Sequence, residues 1–464
     1  MRLGRIVMVV VLAGAIAGGV SACLAGNAAD DVRPLELSVL SSRPDMVSGG
    51  DALLEIDLGG RGSTAVGVTV NGQDVTAAFR QVQNGRLVGL VEELEFGLND
   101  VMVSVETDTA NRGLTLVNHP VAGPVFSGPH EEPFVCETDT FKLLSGETLG
   151  ASLDQDCSVA RRVDYYYRSV ADETFQPLQD LEQVPANVET VTTLAGNTVP
   201  YVVRIETGTI NRAVYQIAML HVPDASDAML SPWTRSPGWN DRLIYTFGGG
   251  CVNGWYRQGN STGGVTDDVM LRHGYAVASA TLNVYGNNCN DLLAAETMMM
   301  VKERFIEAYG VPRYTIGWGC SGGSYQNHQI ADNYPGLLDG IIPGCSFPDV
   351  GSGTIPMITD ARLLERYFRD EAATYFSPEE QRAVAGFLKL ETMSNVSVNA
   401  GRINVSEFCP DVLPEEQRYH PTDNPGGARC DVYSHYINVY GPDPDSGYAR
   451  RPLDNVGVQY GLGA

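Results

Sequence analysis

Hydrophobic positions alternate with a period of two in the first part of the chain: Leu35, Leu37 and Val39; Leu54, Ile56 and Leu58; Val66, Val68 and Val70; Val101, Val103 and Val105. Such alternation buries one face of a strand and leaves the other polar. Asn71-Gly72 and Asn84-Gly85 stand between these runs as hairpin turns, because both residues of a tight hairpin turn need positive φ. Short strands at this spacing predict a small β-sandwich of immunoglobulin-like type over residues 34–122.

Pro120, Pro124, Pro129 and Pro133, with Gly123 and Gly128 among them, mark a boundary. Beyond it the period is mixed. Residues 165–167, 201–205 and 213–222 read as strands that open a larger sheet in antiparallel fashion, and 243–247 and 275–282 as buried strands. A helix is predicted from Asp291 to Tyr309, with Gly310 past its end and Pro312 blocking continuation. Its three consecutive methionines, Met298 to Met300, are assigned to core packing rather than to a soft metal. A strand over 314–318, a helix over 325–333 and a strand over 340–343 follow. This alternation predicts an α/β fold with a mostly parallel sheet and helices on both faces, in a domain spanning 123–464. Residues 351–425 leave the rhythm. Residues 361–368 read as a helix, and Ser377-Pro378-Glu379-Glu380 is a capping-box helix start. The segment is expected to form a lid-like insertion, with a purely structural excursion as the alternative. A complete sheet of this type needs two more strands and a closing helix after 340–343. Residues 431–440 supply one strand at most, so the domain is expected to be incomplete at its C-terminus.

Charge narrows the partners. A formal net charge of −25 argues against nucleic acid and anionic lipid surfaces, which demand a basic face. Arg2 and Arg5 precede an apolar stretch over 6–20, which is the build of an export signal over 1–22. Val20-Ser21-Ala22-Cys23 fits a bacterial lipobox, so Cys23 is expected to carry lipid and 23–33 to act as anchor and tether, with plain cleavage after Ala22 as the alternative. The expected location is the bacterial cell envelope, on the periplasmic or cell-surface side. Eight cysteines remain, an even number that favours disulfides in an exported chain. No C-x-x-C pair occurs, and neither metal nor cofactor is expected.

Two stretches fit the G-x-S-x-G nucleophile elbow. Gly259-Asn260-Ser261-Thr262-Gly263 has no buried strand before it and reads as a loop. Gly319-Cys320-Ser321-Gly322-Gly323 has a strand before it and a helix after it, the context the motif requires. Ser321 is the candidate nucleophile. A serine hydroxyl also needs donors for the oxyanion and a base for its proton. Gly248-Gly249-Gly250 follows a strand ending at Phe247, where esterases of the HGGG type keep their oxyanion loop, although Phe247 stands in place of their histidine. Gly249, Gly250 and Gly322 are the candidate backbone donors. In this fold the triad order is serine, acid, histidine, which sets aside His119, His130, His221 and His273. His328 follows too closely on the same helix. His420 and His435 remain; Asp431 with His435 is the preferred pair, and Asp423 and Asp411 are further candidate acids.

The sandwich-like start, Phe247 to Cys251 and Gly319 to Gly323 resemble an exported bacterial family of unknown function with an immunoglobulin-like N-terminal domain and an α/β-hydrolase-like body. More distantly they are similar to secreted tannases, feruloyl esterases and polyhydroxyalkanoate depolymerases. Tannases also place a cysteine directly before the nucleophile, as Cys320 does, and the resemblance implies a bond from it to a cysteine after the catalytic histidine. This chain has no Asp-His-Cys. Eight cysteines allow about 105 connectivities, of which successive pairing is adopted: Cys136–Cys157, Cys251–Cys289, Cys320–Cys345 and Cys409–Cys430. The middle two pairs lie just past the ends of neighbouring strands. The expected function is serine hydrolysis of small-molecule or polymeric esters through Ser321. The alternative is a non-catalytic surface-binding protein that retains a hydrolase-like body.

Overall fold

The computed structural model describes residues 33–432, apart from 62–65, 83–84, 107–110, 224–229, 252–255, 347–349 and 405–408, with backbone alone for 350–356. The predicted signal, Cys23, Asn84 and His435 lie outside the described residues, as does the strand expected over 431–440 beyond Val432.

The chain opens with β1 (Glu36–Val39), β2 (Val47–Ser48), β3 (Ala52–Asp57), β4 (Val66–Val70), β5 (Gln73–Asp74), β6 (Phe79–Gln81), β7 (Arg86–Val91), β8 (Gly97–Val105) and β9 (Asn111–His119). They form two sheets, in the orders β1-β3-β7-β6 and β2-β9-β8-β4-β5. Leu37, Leu54 and Ile56 from one sheet share a core with Val68, Val101 and Val103 from the other. Along β8 buried and exposed residues alternate, as a half-buried strand requires. Asn71 at φ 50° and Gly72 at φ 81° turn β4 into β5.

Next come β10 (Arg162–Arg168), β11 (Phe175–Pro177), β12 (Thr190–Thr192), β13 (Thr198–Pro200), β14 (Val202–Ile210), β15 (Ala213–Leu220), β16 (Arg242–Phe247), β17 (Ala276–Ala280), β18 (Tyr314–Cys320) and β19 (Gly340–Gly344). The helices are α1 (Asp268–Arg272), α2 (Asp291–Tyr309), α3 (Gly322–Asn333), α4 (Val350–Arg366), α5 (Pro378–Ala385) and α6 (Glu391–Ser397). Eight strands make one sheet in the order β11-β10-β14-β15-β17-β16-β18-β19. Its β17-β16-β18-β19 half is parallel. The other half, including the β15–β17 junction, is antiparallel. The sheet is therefore mixed rather than mostly parallel. The reason is local: Asn211 and Arg212, both at positive φ, close a tight hairpin between β14 and β15, whereas a parallel pair needs a long crossover.

α2 is the spine of the molecule. Asn290 caps its start through Leu293 N, and Gly310 at φ 92° ends it. Met298, Met299 and Met300 are buried in the main core, which Leu53 and Val88 of the N-terminal sheets also enter. Polar bonds reinforce that junction. Glu296 accepts from the amides of Val125, Phe126 and Ser127 at 2.8, 2.5 and 2.7 Å, and Glu303 accepts from Ser48 N at 3.1 Å and from the Ser48 hydroxyl. α4, α5 and α6 build a separate small core on Ala361, Phe368 and Met393, and α5 carries both bonds of the expected capping box. Cys136–Cys157, Cys251–Cys289 and Cys409–Cys430 are disulfide-bonded, which fits an exported protein.

Burial pushes the Glu303 carboxyl up to about 8. Burial also drives Glu307 upward, with Glu303 and then Asp51 adding like-charge repulsion. The folded chain thus keeps a proton on Glu303 that the unfolded chain releases above its ordinary carboxyl range. Stability is expected to fall as pH rises from about 4.5 to about 8, with a slope on the order of 1 kcal/mol per pH unit. Melting temperatures across that range test this: Glu303→Gln, which still accepts from Ser48 but does not titrate, makes the profile shallower, with Glu307 left to titrate.

Candidate active site

β18 delivers Ser321 to the carboxyl end of the parallel half-sheet, and α3 carries the chain away. Ser321 is exposed and sits at φ 60°, ψ −121°, an uncommon conformation for a residue with a Cβ. Three bonds hold it there. Its amide donates to Gly344 O at 3.0 Å, and its carbonyl accepts from Tyr325 N at 3.1 Å and from the Ser324 hydroxyl at 2.7 Å.

The neighbouring glycines follow from how closely the end of β16 approaches. A Cβ on Gly319 would lie 2.7 Å from Phe247 O, one on Gly323 2.4 Å from the same atom, and one on Gly322 2.3 Å from Gly250 O. On the other side, a Cβ on Gly249 would meet Cys320 O at 3.1 Å and Ser321 Cβ at 3.5 Å. Both glycine runs are thus two faces of one backbone contact. The 248–250 loop is itself fixed: Gly248 N donates to Asn283 O at 2.9 Å, and Gly286 N donates to Gly249 O at 2.8 Å. At its end Cys251 is bonded to Cys289. The other elbow-like match is a loop as expected, with Gly263 pressed against Thr246 O.

Two supports escaped the sequence reading. Gln326, fully buried on α3, donates through Nε2 to Gly248 O at 3.1 Å and to Asn283 O at 3.2 Å, tying the nucleophile helix to the glycine loop. The only sequence signal for it is a glutamine four residues after Gly322, on the same helix face. Asp291, in the first turn of α2, accepts from the hydroxyls of Tyr285 and, at 2.5 Å, Tyr325. An acidic residue at a helix start reads as dipole compensation, which conceals this second task.

Cys320 and Cys345 are free, exposed thiols, which corrects the expected bridge. Gly344 pairs with Cys320 across β18 and β19, and Cys345 follows at φ 46°. The two side chains meet as a hydrogen bond, which raises the Cys320 thiol, rather than as a covalent one.

The histidines are distributed as follows. His273 caps α1, its Nδ1 2.7 Å from Val269 O. His328 Nε2 lies 2.8 Å from the Ser346 hydroxyl, and His420 Nδ1 lies 3.1 Å from an Asp423 oxygen in an exposed turn. Among the described residues no imidazole is hydrogen-bonded to Ser321. Asp431 is buried, and its neighbour Val432 packs in one cluster with Tyr285, Tyr325 and the Cys251–Cys289 bridge. The chain therefore returns to the nucleophile helix just before His435.

Among solved structures the chain is similar to tannin acyl hydrolase from Aspergillus niger, at 14% identity and TM-score 0.27, over 48% of this chain and 38% of that one. It is similar to an esterase from Aspergillus oryzae at 15% identity and TM-score 0.25, over 47% and 40% of the two chains. Oligopeptidase B from Trypanosoma brucei matches at 11% identity and TM-score 0.20, over 68% and 50%. The chain thus spans half or less of the length of these three solved proteins. No curated protein matches it. A family model matches residues 37–464, almost the whole chain, and by that match the protein belongs to the tannase-like family of unknown function (DUF6351).

Proposed function

We propose that the protein is an exported serine hydrolase that cleaves carboxylic esters through an acyl-enzyme on Ser321. The observation that carries this reading is Ser321 itself: an exposed serine at positive φ on a strand-to-helix turn, with Gly249 packed against it and Gly250 against the following Gly322. The Ser321 hydroxyl attacks the ester carbonyl, the alcohol leaves, and water releases the acid from the acyl-serine. The amides of Gly249, Gly250 and Gly322 hold the oxyanion, with Gly322 adding the positive end of the α3 dipole. His435 takes the serine proton and Asp431 orients it; the return of the chain to Tyr325 at Val432 supports that pair. Membership of a tannase-like family supports the choice of esters, small or polymeric.

The same reading assigns the architecture: an α/β-hydrolase-type body over 123–464 with the 351–425 segment as lid, an immunoglobulin-like β-sandwich over 34–122, and a lipid on Cys23 behind a cleaved signal. One observation favours the rival reading of a non-catalytic surface-binding protein: the described histidines that follow Ser321 in the chain serve other partners.

Turnover of p-nitrophenyl acetate separates the two. The wild-type chain is expected to hydrolyse it, and Ser321→Ala to lose about a thousandfold or more while its thermal melt stays in place. No turnover by the folded wild type means the binding reading holds. His435→Ala is expected to lose activity to a similar degree and His420→Ala to keep it; activity retained in His435→Ala places the base elsewhere.

A further inference from the structure

At the end of the sheet opposite Ser321, the β1–β2 connection and the body line a half-open cavity of about 400 Å³. Arg313 stands just before β18, Asp339 just before β19, and Asn333 and Tyr334 close α3. Ser321 lies at the other end of the same strand and helix, about 20 Å away at roughly 3.3 Å per strand residue. The walls are largely apolar: Leu40 and Met46 from the N-terminal part, Phe126 from the connection, Met299 and Ile306 from α2, and Tyr334, whose ring stacks on Phe126.

Its charged residues are Arg43, Lys302, Arg313 and Asp339. That is three cations to one carboxylate, on a chain whose formal net charge is −25. Arg43 is paired with Asp45, and Asp339 accepts from Thr315 N. Lys302 is different. Its ammonium donates to two neutral acceptors, Gly336 O at 2.9 Å and Leu337 O at 2.8 Å, and among the described residues no carboxylate lies within ion-pair distance of it. Burial pushes this ammonium down to about 8, and Asp339, beyond ion-pair distance, offsets only part of that. An ammonium has three protons to donate, so one is left for a ligand.

We propose that this cavity binds a monocarboxylic acid with an apolar body, its carboxylate on Lys302 and its hydrocarbon against Met299, Ile306 and Phe126. A volume of this size suits a small organic acid, and Lys302, the one of its three cations that is not exposed, fixes its orientation. The site is separate from Ser321, so it stands whether or not that serine is catalytic. Because Leu40 and Met46 of the N-terminal part line the cavity opposite α2, an acid that fills it stabilises their junction by mass action.

Isothermal titration of the wild-type protein at about pH 7 with octanoate, 1-octanol and acetate tests this. One octanoate is expected per chain, with octanol lacking the charge and acetate lacking the apolar body each binding at least about tenfold more weakly. Lys302→Met weakens octanoate by a similar factor, and Met46→Trp, which fills the cavity from its half-buried rim, removes binding while leaving Lys302 in place. Absence of octanoate binding overturns the proposal, as does octanol binding equally well. Should Lys302→Met not fold, Met46→Trp decides: unchanged octanoate affinity in that variant also overturns it.

Discussion

The backbone contact between the end of β16 and the elbow after β18 is the constraint on which the site depends. Two chain segments approach so closely that no Cβ fits at Gly319, Gly322 or Gly323, and Phe247 and Gly250 present carbonyls to them. Close packing of this kind fixes position without side-chain entropy, because glycine has no rotamers to lose. The positive φ of Ser321 is held by that contact together with the Gly344, Tyr325 and Ser324 bonds. Local strain persists only where the surroundings over-determine it.

Behind this contact stands α2, a helix buried on nearly every side and crossed by carboxyl groups. Each is matched differently. Asp291 receives two tyrosine hydroxyls, Glu296 receives three amides and a serine hydroxyl, and Glu303 receives Ser48. Burial raises the carboxyl of Glu303, while Glu206 on β14, equally buried, is held at about 2 because Arg304, Tyr309 and Arg204 outweigh that burial. A carboxylate among donors and cations stays ionised inside a protein; one among apolar groups and other carboxyls keeps its proton.

Much of this was legible from one chain. Period-two alternation located β1, β3, β4 and β8, and the Gly310–Pro312 stop closed α2 at the right residue, because these signals are local. The elbow was legible for the same reason: its glycines, strand and helix are contiguous. What escaped was non-local. The antiparallel half of the sheet rests on the positive φ of Asn211 and Arg212, which neither residue announces by itself. Gln326 and Asp291 serve groups 78 and 34 positions away, and no spacing rule covers such distances. Cys320 and Cys345 were paired from strand ends alone, which fixes proximity but not covalent bonding.

The carboxyls of α2 bear on modularity. Leu53 and Val88 sit inside the body's own core, and Ser48 satisfies a glutamate of the body. Excising the first sheets would leave Glu303, Met299 and Met300 facing water on a helix whose opposite end braces the nucleophile through Asp291. The N-terminal sheets are therefore not a detachable accessory. Shuffling by recombination at the proline-rich junction would break this shared packing, and any swap of this region has to carry a serviceable partner for α2 with it.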